Sequence, residues 1–321
     1  MEIKKQFLGW TSFPSLALVV LLTIINTFVV NNFLSVSYAS SFFGDYTPLI
    51  IAAIAQTIVL IGSGIDLSIG GIISLVVVVV VTLADPNGHY QFPLPVAMVI
   101  GTVLGGAVGA LNGLIIGYLR VTPLLATLAT TSIAEGLALT IMPQPGGSIS
   151  TDFTTWYGSS LLGIIPAPIV FILIALAIWM LWKYSPKGLQ LYAMGRDINK
   201  TYVSGIAVQR IQLLMYISSG ILSAIAALAL LGTTGAGDPL IGTTYTLYAV
   251  AASVIGGVSL MGGSGDTFGA IFGSIFLGCA FTLVFSIHLE SYYQNLASGV
   301  IVLLGIIGAS MLKKKKFSLS S

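Results

Sequence analysis

The sequence predicts an all-α polytopic membrane protein of about ten transmembrane helices with both termini cytoplasmic. Three observations predict it. The 321 residues are 56% hydrophobic and only 7% charged, with a mean hydropathy of +1.02, whereas a soluble chain carries roughly 25% charged residues. The apolar runs are continuous over about 17–25 residues, the length that crosses a hydrocarbon core of roughly 30 Å, and lack the apolar–polar alternation of barrel strands. The basic residues, finally, all fall on one side when the chain is threaded through ten spans.

Hydropathy places the spans at 14–34, 47–62, 67–84, 93–118, 123–142, 165–182, 210–231, 245–261, 267–286 and 292–312. The whole chain, 1–321, reads as one transmembrane domain. The stretch from Pro14 leads into Asn31, Asn32 and Phe33 without a small-residue cleavage pattern and reads as the first span rather than a signal. Lys4, Lys5, Arg120, Lys183, Lys187, Arg196, Lys200, Arg210 and Lys313 to Lys316 then face the cytoplasm, as the positive-inside rule expects. Asp45, Asp85, Asp152, Asp238 and Glu290 fall on the outer side.

The second and third spans come from one apolar run, Pro48 to Ala84. As a single helix that run would measure roughly 55 Å, too long for one straight crossing. Within it stands "GSGIDLSIGG", where Gly62 and Gly64 break the helix. Asp66 and Ser68 then offer side-chain oxygens to the free N–H groups of the next helix. "GGSGDTFG" repeats the device between the eighth and ninth spans, with Gly265 before the capping Asp266. Both segments read as structural hinges, and their likeness hints at an internal duplication.

Gly101, Gly105, Gly109, Gly113 and Gly117 recur every fourth residue on the fourth span, a small-residue ridge suited to close helix packing, with Asn112 beside it placed to hydrogen-bond across helices. Gly269 and Gly273 repeat the idea on the ninth. Cys279, the single cysteine, lies in an apolar segment and reads as a buried small residue. The fifth span holds the one carboxylate deep within an apolar stretch. Thr127, Thr131 and Glu135 share a face there. A charge at bilayer depth costs a few kcal/mol unless paired, protonated or facing water. Glu135 therefore reads either as lining a solute pathway or as a protonated acid bonded to a neighbouring helix. Gln56, with Thr57, Ser218, Ser219 and Ser223, are further pathway candidates. In the long outer loop, Pro143 to Pro166, Trp156 and Tyr157 read as interfacial anchors or as contacts for an external partner. His89 and His288 stand singly, without a metal-binding cluster.

The chain has no GxxxxGK[ST], HExxH or GxSxG pattern and no paired carboxylates at depth, so it carries neither a nucleotide cradle nor hydrolytic groups. The inner loop from Lys183 to Arg210 holds five of the twelve basic residues. Its centre, Arg196 to Ile206, reads as a short helix begun at Asp197 and stopped at Gly205. Such a helix is either a handle for a cytoplasmic motor or an ordinary solvated loop.

"SGIDLSIGGIISL", "VTPLLATLATTSIAEGLAL", "YAMGRDINKTYVSGIAVQRIQLLMYISSGILSAIAAL", "GTTYTLYAVAASVIGGVSLMGGSGDTFGAIFGSIFLG" and "SYYQNLASGVIVLLGI" occur in that order over roughly residues 50 to 310. Together they resemble the permease subunits of ATP-binding-cassette importers for simple sugars, the ribose-type branch. The resemblance implies a multi-pass protein of a prokaryotic cytoplasmic (inner) membrane that carries no ATPase activity of its own. It also implies a second permease copy, identical or different, two cytoplasmic ATPase subunits and an extracytoplasmic sugar-binding protein. Neither nucleic acid, cofactor nor metal is expected. The ATPases would grip the loop at positions matched by Gly195, Ser204, Gly205 and Ile206, with Arg196, Asp197 and Lys200 between them, and a monosaccharide or similar polar solute would pass between the two copies. Family members often carry arginine where Glu135 stands and asparagine where Asp197 stands. The rival reading is an ion-coupled carrier or channel using Glu135 as its intramembrane site.

Overall fold

The computed structural model describes residues 13–286, 293–294, 296–305 and 307. In chain order its elements are α1 (Phe13–Val29), α2 (Val36–Ile61), α3 (Ser68–Ala84), α4 (Leu94–Gly117), α5 (Pro123–Ile141), α6 (Thr151–Tyr157), β1 (Ser160–Leu161), β2 (Ile165–Pro166), α7 (Ile169–Lys183), α8 (Pro186–Arg196), α9 (Ile198–Val203), α10 (Val208–Thr234), α11 (Thr243–Ile255), α12 (Thr267–Ser286) and α13 (Leu296–Gly305). Every segment expected to span contains one of these helices. Among the described residues, however, only α2, α4, α5, α10 and α12 are long and apolar enough to cross a bilayer unaided, and α7 joined to α8 across a 79° bend makes a sixth. The remaining apolar helices, α1, α3, α11 and α13, run 10–17 residues. The expectation of ten spans is therefore met coarsely, as a helical bundle with long and short members. Lys4, Lys5, His288, Glu290 and the tetralysine tail lie outside the described residues.

The second span begins earlier than hydropathy places it. Ser35 caps α2 by accepting the Tyr38 N–H at 3.1 Å, so the helix already runs from Val36 and carries Asp45 within it rather than in an outer loop. Pro48 sits inside α2 and cannot donate to the carbonyl four residues back, that of Gly44. The Tyr157 hydroxyl donates to this same carbonyl at 3.0 Å. A residue from the outer loop thus replaces the bond that proline removes, and the helix continues through it. This corrects the reading of Tyr157 as an interfacial or partner-facing aromatic: it is fully buried, with its ring against Gly232. Trp156 keeps a partly exposed face beside Phe153 and Phe171. Tyr157→Phe is expected to lower stability by about 1–3 kcal/mol, the penalty of an unpaired buried carbonyl. Thermal unfolding in detergent checks it, and an unchanged melting temperature would show that the Gly44 carbonyl has another partner.

The bundle is built around α2 and α3, which are buried on nearly all sides from Thr47 to Ile61 and from Ser68 to Val78. Outer helices turn large apolar side chains outward, among them Val99 and Val103 on α4 and Leu125 and Ile133 on α5. That arrangement costs nothing in lipid, where such side chains are as well solvated as in a core. The glycine ridge of α4 does what its spacing predicts. It packs antiparallel along α10, with Gly105 against the Gly220 carbonyl, Gly109 against the Tyr216 carbonyl, Gly113 against the Leu213 backbone and Gly117 against Gln209. Gly273 and Gly256 make the equivalent close approach of α12 to α11. Cys279 is buried, as expected.

Candidate functional site

The "GSGIDLS" segment is a true break: α2 ends at Ile61, α3 starts at Ser68, and the residues between are a turn followed by irregular backbone. The expected cause is modified in two respects. Ser68 caps no N–H of α3, its hydroxyl instead donating to Asp66 and accepting from Asn112. The left-handed residue is Ser63, with φ of 62°, and not a glycine. Gly62 and Gly64 are there for space, since a Cβ at either would strike Met215 or the Tyr216 hydroxyl. A break exposes backbone groups that must be satisfied internally where no water reaches. Asp66, fully buried, does much of this. Its Oδ1 accepts the Ser68 N–H at 2.8 Å and the Ser68 hydroxyl at 2.5 Å. Its Oδ2 accepts the Ser219 hydroxyl of α10 at 2.6 Å. Ser68 in turn accepts the Asn112 amide of α4 at 2.9 Å, and Asn112 Oδ1 accepts the Thr130 hydroxyl of α5 at 2.6 Å. One hydrogen-bonded chain thereby ties the break to three other helices.

The threonine face of α5 meets the same break. Thr131 donates to the Leu67 carbonyl at 2.7 Å, and the Thr127 hydroxyl lies 3.4 Å from the Ile65 carbonyl. The Thr131 hydroxyl therefore serves broken backbone, while that of Thr127 makes its shorter bond, 2.8 Å, to the Pro123 carbonyl of its own helix. Glu135, one turn further along, is half-buried at the edge of the seam that Ala134 and Ala138 make with α3, and it has no hydrogen bond or ion pair among the described residues. Gln56 is fully buried in α2, and neither of its amide atoms has a protein partner there. Thr57 bonds Ser253 of α11, Ser218 accepts the Trp182 indole N–H, and Ser223 bonds its own helix backbone. The structure thus brings Thr127, Thr131, Asp66 and Ser219 to one place and leaves Gln56 and Glu135 apart from their network. A cavity of about 680 Å³ opens between α1, α2 and α12, lined by Asn31, Tyr38, Ser41, Asp45, Tyr46 and Thr282 among others.

The inner loop forms the short helix that its sequence predicts. Asp197 caps α9 by accepting the Lys200 N–H at 3.0 Å, and it pairs with the Lys200 ammonium at 3.2 Å. The backbone bond first, then the ammonium, holds the Asp197 carboxyl below its ordinary range. Because the folded value is depressed, the cap is complete above the ordinary carboxylate pKa and is lost only as pH falls through the lowered one. Ser204 ends the helix and Gly205 turns the chain at φ of 81°. α9 projects bare apolar side chains, with Val203 84% exposed, Tyr202 59% and Ile198 45%. Behind α9, Gly195 is wedged between the Ile61 carbonyl and the Gly263 amide at the α11–α12 turn.

A family described as the permease component of a branched-chain amino acid transport system matches residues 38–311. The chain belongs to this permease family. The ribose import permease protein of Haemophilus influenzae is 31% identical to it over 94% of this permease and 93% of the relative. The galactose/methyl galactoside import permease protein of Salmonella typhimurium is 32% identical over 94% and 95%, and the D-allose transport system permease protein of Escherichia coli 28% over 94% of both. No solved structure matches the permease. It is a transport component rather than an enzyme. Asn112 hydrogen-bonds across helices as its place beside the ridge suggests, whereas sequence reasoning alone missed the parts that Thr130 and Ser219 play in holding the break. The only advance signal was their polarity within apolar spans.

Proposed function

We propose that this chain is the membrane-spanning subunit of an ATP-driven importer of a monosaccharide or related small polar solute. The similarity over nearly the full length to permeases named for ribose, allose and galactose import carries that reading. In it the chain crosses a prokaryotic cytoplasmic membrane ten times with both ends inside. The packing of Gly117 on Gln209 supports this, because it brings Arg120 and Arg210 to one end of the bundle. Two copies enclose the solute path, with α5 facing it. A half-buried carboxylate without a partner, Glu135, is expensive against lipid and cheap against a hydrated path between copies. Gln56, whose amide carries the same unspent hydrogen-bonding capacity, is the second pathway candidate. Thr127 and Thr131 support the break beside the path. A separate ATPase grips α9, with Gly195, Arg196, Asp197, Lys200, Ser204, Gly205 and Ile206 forming and mounting the handle. The Asp66 and Asp266 segments, with Gly64, Ser68 and Gly265, are the hinges on which the bundle moves. A sugar-binding protein delivers solute outside.

Reconstitution tests this. The chain alone in liposomes should neither hydrolyse ATP nor accumulate sugar. With a cognate ATPase subunit and sugar-binding protein added, ribose, allose or galactose should stimulate ATP hydrolysis and enter. Gly205→Pro, which cannot adopt a φ of 81°, and charge reversal at Arg196 with Lys200 should separate hydrolysis from uptake while the permease still inserts. Glu135→Gln should change the rate or affinity of uptake without abolishing it. Gradient-driven uptake by the chain alone would falsify the assignment.

A further inference from the structure

α8 does more than carry α9. Its C-terminal end meets the ends of both broken elements. A Cβ on Gly195 would lie 1.8 Å from the Ile61 carbonyl oxygen and 2.5 Å from the Gly263 nitrogen. Those two atoms are themselves bonded, with the Gly263 N–H donating to Ile61 at 2.9 Å. Three backbones thus converge where α2 ends, α8 ends and the α11–α12 turn passes. The turn is held at that point from α7 and α8. The Tyr192 hydroxyl donates to the Gly265 carbonyl at 2.8 Å, and the Lys183 ammonium pairs with Asp266 Oδ2 at 3.3 Å. Asp266 divides its oxygens, because Oδ1 accepts the Thr267 N–H at the start of α12. The ion pair therefore bears on the residue that begins α12.

We propose that α8 fastens the coupling handle to both helix breaks at once, and that Tyr192 and the Lys183–Asp266 pair are positioning residues through which movement of α9 reaches the α11–α12 turn. The proposal rests on the reading of α9 as the ATPase contact. α9 follows α8 with only Asp197 between them, so a push on α9 acts directly on the end of α8. There the space left by Gly195 admits no slack on the α2 side. On the other side the Tyr192 hydroxyl and the Lys183–Asp266 pair fasten the turn beside Arg196, whose Nε donates to the Gly263 carbonyl at 3.4 Å. Losing either should leave the ATPase docked and hydrolysing while less of each cycle reaches the bundle.

The test compares Tyr192→Phe, Lys183→Met and Lys183→Arg with the parent chain, each assembled with a cognate ATPase and sugar-binding protein in proteoliposomes. Three quantities are read: ATPase co-purification, ATP hydrolysis, and labelled sugar imported per ATP, using whichever of ribose, allose or galactose the parent imports. Tyr192→Phe and Lys183→Met should lower sugar per ATP by about three- to tenfold, the size of effect that one lost hydrogen bond produces, with co-purification unchanged. Lys183→Arg, which preserves the pair, should restore the ratio. A ratio equal to the parent's in both disrupting variants would overturn the fastening. So would equal proportional losses of hydrolysis and uptake, or failure of arginine to restore what methionine removes. If the parent chain fails to retain the ATPase, the coupling reading itself falls, an outcome distinct from the others.

Discussion

Gly109→Leu is expected to abolish the folded protein. A Cβ at this position would lie 2.2 Å from the Tyr216 carbonyl oxygen and 3.2 Å from the Gly220 Cα. Both are backbone atoms of α10 and cannot rotate away, so the helices must separate. Separation at Gly109 also opens the seam at Gly105 and Gly113, where a Cβ would lie 2.6 Å and 2.7 Å from α10 backbone. Overpacking against side chains typically costs about 1–3 kcal/mol, and a rigid obstacle between two backbones should cost more than about 3 kcal/mol. The measurement is monodisperse yield and thermal unfolding in detergent. The control is Gly136→Ala on α5, where a Cβ would find open space, and which should raise stability by roughly 0.5–1 kcal/mol by relieving glycine's entropy in a helix. A well-behaved Gly109→Leu protein melting at the parent temperature would refute the packing argument for the ridge.

Asp66→Ala should be the most damaging substitution in the break. It removes the acceptor of the Ser68 N–H, the Ser68 hydroxyl and the Ser219 hydroxyl in one step. The site is fully buried, so no solvent takes its place. Each buried donor left unpaired costs about 1–3 kcal/mol, which puts the total at about 3 kcal/mol or more. Asp66→Asn should be milder, at about 1 kcal/mol. Its carbonyl oxygen still receives Ser68, and the Ser219 hydroxyl rotates to accept from the amide. The order of melting temperatures, parent above asparagine above alanine, is the readout, with uptake by the assembled importer expected to fall in the same order. Equal melting of the alanine and asparagine variants would mean that the carboxylate is not the pin of the break.

Much of this was legible in the chain because it depends on residues close in sequence. The apolar runs place the helices, Asp197 and Gly205 mark the start and stop of α9, and the four-residue glycine spacing marks a ridge. The misreadings have a common origin in contacts over long sequence distance. Pro48 looks like the head of a span until Tyr157 is seen to supply the missing hydrogen bond. Gly62 and Gly64 look like conformational breakers, yet their neighbours Met215 and Tyr216 come from α10. Thr127 and Thr131 share the face their spacing predicts, and only the packing of α5 on the break shows that the Leu67 carbonyl takes the Thr131 hydroxyl.

By itself, then, the sequence determined that this is a helical membrane protein, where its helices lie, where two of them break and which short loop forms a capped helix. Each follows from local hydrophobicity, capping and backbone freedom, which a single segment carries within itself. Only the tertiary structure decided which polar groups hold the Asp66 break, that proline is tolerated within α2, and that the end of α8 meets both breaks. Inside a bilayer a buried donor or acceptor must find its partner within the protein, and which partner it finds is set by which helices pack together.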